Sequence, residues 1–310
     1  MSEPRPEDGV SAVTELPLAR SGRHRPADED DATATPEQEP KKSRAGRNLP
    51  AAIGVGLGLG GVVLASLLIY RGAFVVILLA AVIFGVYELV TAIAGVEARP
   101  PFLPLIAGTL AMDVAAWYRG PGGLVIGLLV TVVGAAIWRL ADGAAGYLRD
   151  VSASVLIALY VPLLGGFAVL LAHPSDGAGR VLAFVATVVC SDTGGYASGV
   201  LFGKHPMAPR VSKAKTWEGF AGSVLACCLA GGLLLTLTFH QEWWKGVIFG
   251  LAIAITATVG DLGESLIKRD LGLKDMGNLL PGHGGVMDRL DSLLPCAAVA
   301  YLLLSWFAPV

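Results

Sequence analysis

Val151-Ser-Ala-Ser-Val-Leu-Ile-Ala-Leu-Tyr160-Val-Pro-Leu-Leu-Gly-Gly-Phe-Ala-Val-Leu-Leu-Ala172 carries no charged side chain from end to end. A helix rises 1.5 Å per residue, so about 20 apolar residues cross the hydrocarbon of a bilayer. This run is long enough, and it has counterparts on both sides. Further apolar runs occupy roughly 50–70, 73–95, 102–118, 123–140, 181–202, 217–239, 244–264 and 290–308. The chain therefore reads as an all-α, polytopic integral membrane protein with about nine transmembrane helices. The run at 102–118 is the weakest, being short and holding Asp113.

Composition agrees. The 310 residues are 54% hydrophobic and 15% charged, with a mean hydropathy of +0.64. A soluble domain carries about 25% charged residues. Residues 1–48 stand apart, dense in Arg, Glu, Asp and Pro and poor in large apolar side chains. Such a segment cannot bury enough surface to offset its ordering entropy. It is expected to be a disordered, charged cytoplasmic tail ahead of a membrane domain over 49–310. A long charged stretch before the first apolar run is not a secretory signal. The net charge of −2 averages two unlike regions, and no nucleic-acid partner is expected.

Cys190, Cys227, Cys228 and Cys296 each lie in an apolar run, with no C-x-x-C spacing. They are expected to be small packing residues within helices. The glycine-rich Gly54-Val-Gly-Leu-Gly-Leu-Gly60-Gly61 lacks the Lys and Ser/Thr of a phosphate loop. It reads as a helix-packing surface.

The loops between runs fall into two alternating sets. One set holds Lys41, Lys42, Arg44, Arg47, Arg99, Arg139, Arg149, Lys204, Arg210, Lys213, Lys215, Lys268, Arg269, Lys274 and Arg289; the other holds only Arg71, Arg119, Arg180 and Lys245. Cytoplasmic loops are enriched in Lys and Arg. That places the N-terminus inside the cell membrane and the C-terminus outside.

Two of the inside loops differ from the rest. The first follows Cys190-Ser-Asp192-Thr-Gly-Gly-Tyr196 and runs through Phe202-Gly-Lys204-His205 to Val211-Ser212-Lys-Ala-Lys215-Thr216-Trp-Glu218-Gly219. Lysines and hydroxyls in this mixture can bind phosphate oxygens. Asp192 lies at the end of an apolar run, where an ionised carboxylate is costly unless it lines a polar cavity. The second holds Gly260-Asp261-Leu-Gly-Glu264-Ser265, Lys268-Arg269, Lys274-Asp275, Pro281-Gly-His283-Gly-Gly285 and Asp288-Arg289-Leu-Asp291. Asp261 and Asp288 close two neighbouring runs, and Asp288 and Asp291 share a helix face. Hard divalent cations prefer such oxygens. The Pro-Gly and Gly-Gly steps suit a turn whose N–H groups approach an anion.

The segment from Ser265 to Asp291 resembles the C-terminal signature of the phosphatidate cytidylyltransferases, and the segments around Asp192, Lys204 and Lys215 resemble the same family. The motifs cover about 190–291, and the multi-span body extends the likeness to about residue 50. Ser212-Lys-Ala-Lys215-Thr216 departs from the family's usual Ser-Pro-Lys-Lys-Thr, and Val200 follows Gly199 where the family often has Arg. The resemblance implies transfer of a cytidylyl group from CTP to phosphatidate at a membrane. It implies Mg²⁺, alone or with a second cation, on Asp261 and Asp288 with Asp192 and Asp291 in support. Lys268, Arg269 and His283 are expected to act in catalysis. Lys204, Ser212, Lys215, Thr216, Glu218, Ser265, Lys274 and Arg289 are expected to bind substrate. His283 suits phosphate binding or loop organisation better than base catalysis, because a phosphate monoester is largely ionised near neutral pH. Members of that family often form homodimers.

Three rivals fit less well. A CDP-alcohol phosphotransferase would continue Asp142-Gly143 with an Ala-Arg that is absent here. A CTP-dependent lipid kinase would share the nucleotide but transfer its γ-phosphate. A transporter would place polar groups near the bilayer midplane in repeated halves, whereas these clusters lie at one face.

Overall fold

The computed structural model describes residues 49–277, 279 and 284–309. The tail expected over 1–48 lies outside them. Ten helices follow in order: α1 (Leu49–Ile69), α2 (Arg71–Ala94), α3 (Phe102–Leu140), α4 (Tyr147–Ala158), α5 (Leu164–Ala172), α6 (Gly177–Phe202), α7 (Trp217–Phe239), α8 (Trp243–Asp270), α9 (Met287–Leu290) and α10 (Leu293–Phe307). A small antiparallel hairpin of β1 (Pro206–Ala208) and β2 (Ser212–Thr216) separates α6 from α7.

Among the described residues, seven helices are long and apolar enough to cross a membrane. The chain is a multi-pass, all-α membrane protein. The expected nine exceeds that number for two reasons. First, α3 is one helix only by continuity. Gly120 adopts φ 64°, ψ −150° inside it, a backbone that glycine alone tolerates well. Pro121 follows with its φ already set for a new helix. A Cβ on Gly108 would meet the Thr131 side chain, one on Gly127 would meet Met112, and one on Gly123 would meet the Ala115 carbonyl. Pairings that converge on residue 120 describe a hairpin with arms 102–119 and 121–140. Second, α1 spans 21 residues, but only its Gly60–Ile69 part counts among the shorter apolar helices. Among the described residues, three of the glycines expected to pack α1 meet no neighbour: a Cβ at Gly58, Gly60 or Gly61 would find nothing within 4 Å.

A π-helical turn, Leu159–Leu163, joins α4 to α5. Pro162 lies inside it and cannot donate a backbone hydrogen bond, so the wider turn absorbs the defect without ending the span. The core runs through α2, α5, α6, α7, α8 and α10, with Phe184, Leu235, Phe249, Ile253 and Leu304 at its centre. On α7, Leu225, Leu229, Leu233 and Leu237 recur every fourth residue and are exposed, as a lipid-facing stripe requires.

Polar groups within the bundle are mostly satisfied locally. Asp150 is fully buried and accepts hydrogen bonds from Arg99 N (2.8 Å) and Arg139 Nε (2.7 Å). It thereby ties the end of α3 and the α2–α3 connection to α4. Asp113 is the contrast: it is buried, and neither carboxylate oxygen has a hydrogen-bond partner among the described residues. The four cysteines are free. Cys227 donates to the Thr187 carbonyl at 3.3 Å, so this thiol holds α7 against α6 in keeping with a packing role.

Candidate active site

Helices α6 and α7 run antiparallel with their small residues face to face. Ser223 Oγ donates to the Ser191 carbonyl at 2.7 Å, and a Cβ on Gly194 or Gly195 would strike Ala226 or Ser223. Helix α8 packs as tightly on α7, because Gly231 and Gly246 meet backbone to backbone. Near one end of this three-helix unit a cavity of about 400 Å³ opens, floored by Ser191, Ala257 and Thr258 and roofed by the β-hairpin.

Five of the side chains expected to act line this cavity: Asp192 from α6, Ser212 and Lys215 from β2, Thr216 at its end and Asp261 from α8. The ammonium of Lys215 forms an ion pair with the Asp261 carboxylate. The two inside loops therefore meet at one point, although 46 positions separate those residues. Thr216 has a second task. Its hydroxyl accepts the Gly219 N–H at 3.1 Å and caps α7, satisfying one of the amides that a helix start leaves without a partner.

Asp288 lies in a neighbouring cluster. It accepts hydrogen bonds from Lys268 Nζ (2.9 Å), Gly285 N (2.8 Å) and Met276 N (3.1 Å). Lys268 also pairs at 2.5 Å with Glu264, which is fully buried. The two aspartates expected to converge on one ion or a pair of ions have separate cationic partners, Lys215 for Asp261 and Lys268 for Asp288. Asp291 connects the clusters: its backbone carbonyl would lie 2.6 Å from a Cβ on Gly260, beside Asp261. Asp192, Asp261 and Asp291 are near enough to repel one another.

The remaining expected residues are spread around these clusters. Arg269 Nε reaches the Val211 carbonyl at 3.5 Å and so links α8 to the hairpin. Glu218 accepts from His205 Nδ1 (2.6 Å) and His205 N (3.2 Å). Lys204 and Glu218 of the first loop lie outside the cavity lining, as do Ser265, Lys268, Arg269, Lys274, Asp288, Arg289 and Asp291 of the second. Ser265 is half-buried on α8, while Lys274 and Arg289 are exposed. His283 lies outside the described residues, as do Pro281 and Gly282 of the expected turn.

The donor chemistry here suits a hard divalent cation. Asp192 and Asp261 line the cavity, and Asp261 already holds one cationic group, the Lys215 ammonium. Among the described residues, no group of three or more His, Cys, Asp or Glu is arranged as a ready metal cage.

Three nearby groups carry no role expected from the sequence. One is Glu264, next to Ser265. Tyr160 sits on the π-helical turn with a hydroxyl that makes no hydrogen bond among the described residues. Glu88 on α2 is buried and accepts the N–H groups of Val286 and Met287. The signal for Glu88 was available, since it is the lone charged residue in the run 73–95.

The model of the cytidylyltransferase family matches residues 50–307. The chain is 47% identical over 281 residues to the phosphatidate cytidylyltransferase of Mycobacterium leprae, covering 84% of this chain and 89% of that protein. It is 40% identical over 310 residues to the phosphatidate cytidylyltransferase of Mycobacterium tuberculosis, covering 96% and 94%. A phosphatidate cytidylyltransferase of Brucella suis is 42% identical over 123 residues, which is 40% of this chain and 46% of that protein.

Proposed function

The chain belongs to the cytidylyltransferase family, and from that premise we propose that its cavity transfers a cytidylyl group from CTP to phosphatidate. The observation that carries this reading is the meeting of the two loops, where Lys215 and Asp261 join across a cavity that Asp192 also lines. A phosphate oxygen of the lipid attacks the α-phosphorus of CTP. A new P–O bond forms as the bond to the β-phosphate oxygen breaks, and pyrophosphate leaves with the electron pair. No strong base is needed, since the attacking oxygen is already ionised. The barrier lies in gathering anions and in the charge growing on the leaving oxygens, so fixed cations and N–H donors matter most.

Lys215 and Lys268 are suited to this work. Each is held by carboxylates, Lys215 by Asp261 and Lys268 by Glu264 and Asp288, and an anchored ammonium needs little reorganisation when phosphate arrives. Arg269, Lys274 and Arg289 ring the same end of the bundle and would draw in the triphosphate. Asp261, Asp192, Asp291 and Asp288 would hold Mg²⁺, which when bound would neutralise phosphate charge. Ser212, Thr216 and Ser265 would offer hydroxyls to the substrates.

The excess of Lys and Arg in one set of loops supports placing this end of the bundle on the cytoplasmic side of the cell membrane, where CTP is available. A homodimer is proposed from the family likeness. The deciding assay supplies phosphatidate and CTP labelled at either the α- or the γ-phosphate, with Mg²⁺ or with a chelator. Label from the α-position should enter lipid, and only with Mg²⁺. Entry of γ-label alone would replace this reading with a lipid kinase.

A further inference from the structure

Glu88 is 3% exposed and reaches from α2 to a segment almost two hundred residues later. Its Oε1 accepts the Val286 N–H at 3.0 Å and its Oε2 accepts the Met287 N–H at 2.8 Å. These amides open α9, where no carbonyl of that helix can take them. The same carboxylate is pressed by two glycines. A Cβ on Gly285 would lie 2.5 Å from Oε2, and one on Gly277 would overlap Oε1. Gly277 and Gly285 therefore rest on one acid.

The residues beside those contacts serve Asp288. Its carboxylate takes the N–H groups of Met276 and Gly285, each a neighbour of a residue that touches Glu88, and it also holds Lys268. We infer that Glu88 is a positioning residue for the transfer reaction: it seats Gly277 and the stretch 285–287 against α2 and so sets where Asp288 holds the Lys268 ammonium. It acts through Asp288 and touches no reacting atom. A buried acceptor serving only stability would have no reason to receive two glycines of which one, Gly285, is the aspartate's own donor and the other, Gly277, follows its second donor, Met276. The kinetic part of this inference rests on the proposed cytidylyl transfer.

The arrangement predicts a particular pattern for conservative variants. Glu88→Gln keeps the shape but turns one acceptor into an NH₂ facing an N–H. A shift of about 1 Å at a catalytic group can lower rate about 100-fold, so kcat should fall at least about tenfold. KM for CTP should stay within about twofold, because the Lys215 side of the cavity is untouched. Gly285→Ala should be impaired by collision with the carboxylate. Adding Glu88→Asp to it should restore part of the activity, because the shorter acid vacates the space.

The experiment uses the full chain in detergent, with CTP and phosphatidate varied separately, and hydrogen exchange followed over 276–288. Faster exchange at Val286 and Met287 in Glu88→Gln, together with the fall in kcat, supports the inference. Wild-type kcat in a folded Glu88→Gln would overturn it. A lower unfolding temperature with unchanged kcat would do the same. If Glu88→Gln does not fold, the Gly285→Ala pair decides, and absence of any rescue sinks the idea. Wild-type protein inactive on these substrates would count against the proposed reaction. The exchange rates at Val286 and Met287 would then still judge the seating by Glu88.

Discussion

Thr216 shows how much one side chain can carry where β2 passes into α7. Its hydroxyl caps α7 through Gly219 N and faces the cavity next to Lys215. Loss of an N-cap costs about 1 kcal/mol, so Thr216→Ala should lower the unfolding temperature slightly, while Thr216→Ser should restore it. A scanning thermal melt in detergent would measure both. The aspartates should separate by mechanism. Asp261→Asn weakens the hold on Lys215 alone, whereas Asp288→Asn disturbs Lys268 and two loop amides together. Each should lower kcat by roughly 100-fold if preorganised charge dominates, with the larger structural loss in Asp288→Asn, read as faster hydrogen exchange near Gly285. Wild-type turnover in Asp261→Asn across a Mg²⁺ titration would remove that residue from the site. The residue types and their grouping near two loops were legible from the chain, because charged residues within apolar runs are conspicuous. The pairing was not. Nothing in linear order says that Lys215 selects Asp261 and Lys268 selects Asp288, or that an acid on α2 supports the later loop.

At the scale of elements, close helix contact shapes the cavity. Gly231 and Gly246 touch backbone to backbone, and a Cβ on Gly250 would strike the Cys227 carbonyl. The cavity has Phe220 and Ser223 of α7 on one wall and Thr258 and Asp261 of α8 on another, so prying these helices apart would widen it. Gly250→Val inserts a branched side chain at the contact. Overpacking of this kind costs about 1–3 kcal/mol, and the variant should melt earlier and turn over more slowly. Gly263→Val serves as the control, because a Cβ there meets nothing within 4 Å; equal losses in the two variants would exclude close packing as the cause. The helices themselves could be read from the length and apolarity of the runs. Their irregularities depend on tertiary partners: the turn at Gly120 becomes a hairpin only because Gly108, Gly123 and Gly127 allow the arms to close. Pro162 could have ended a helix, yet the packed span continues through a π-helical turn.

For the molecule as a whole, the asymmetry of its charges should be measurable as an orientation. Lysines and arginines crowd the end that carries the cavity, while Arg71, Arg180 and Lys245 lie at the opposite helix ends. Those few are also tied down: Arg71 to the His173 and Pro174 carbonyls, Arg180 to Asp176 and the Ala308 carbonyl, and Lys245 to Gln241 and Glu242. Arg71 and Arg180 act as structural clasps between helices, and Lys245 ties down the start of its own helix. Lys204 is exposed on the cavity side and Trp243 is exposed where α8 begins. A single cysteine placed at either position, in a chain whose four native cysteines are replaced, reports its side through a membrane-impermeant maleimide. The Lys204→Cys thiol should react only in inverted membrane vesicles and the Trp243→Cys thiol only in intact cells. The reverse pattern would place the cavity outside, away from cytoplasmic CTP, and would break the link between the charge distribution and the proposed chemistry even if every residue within the site were assigned correctly.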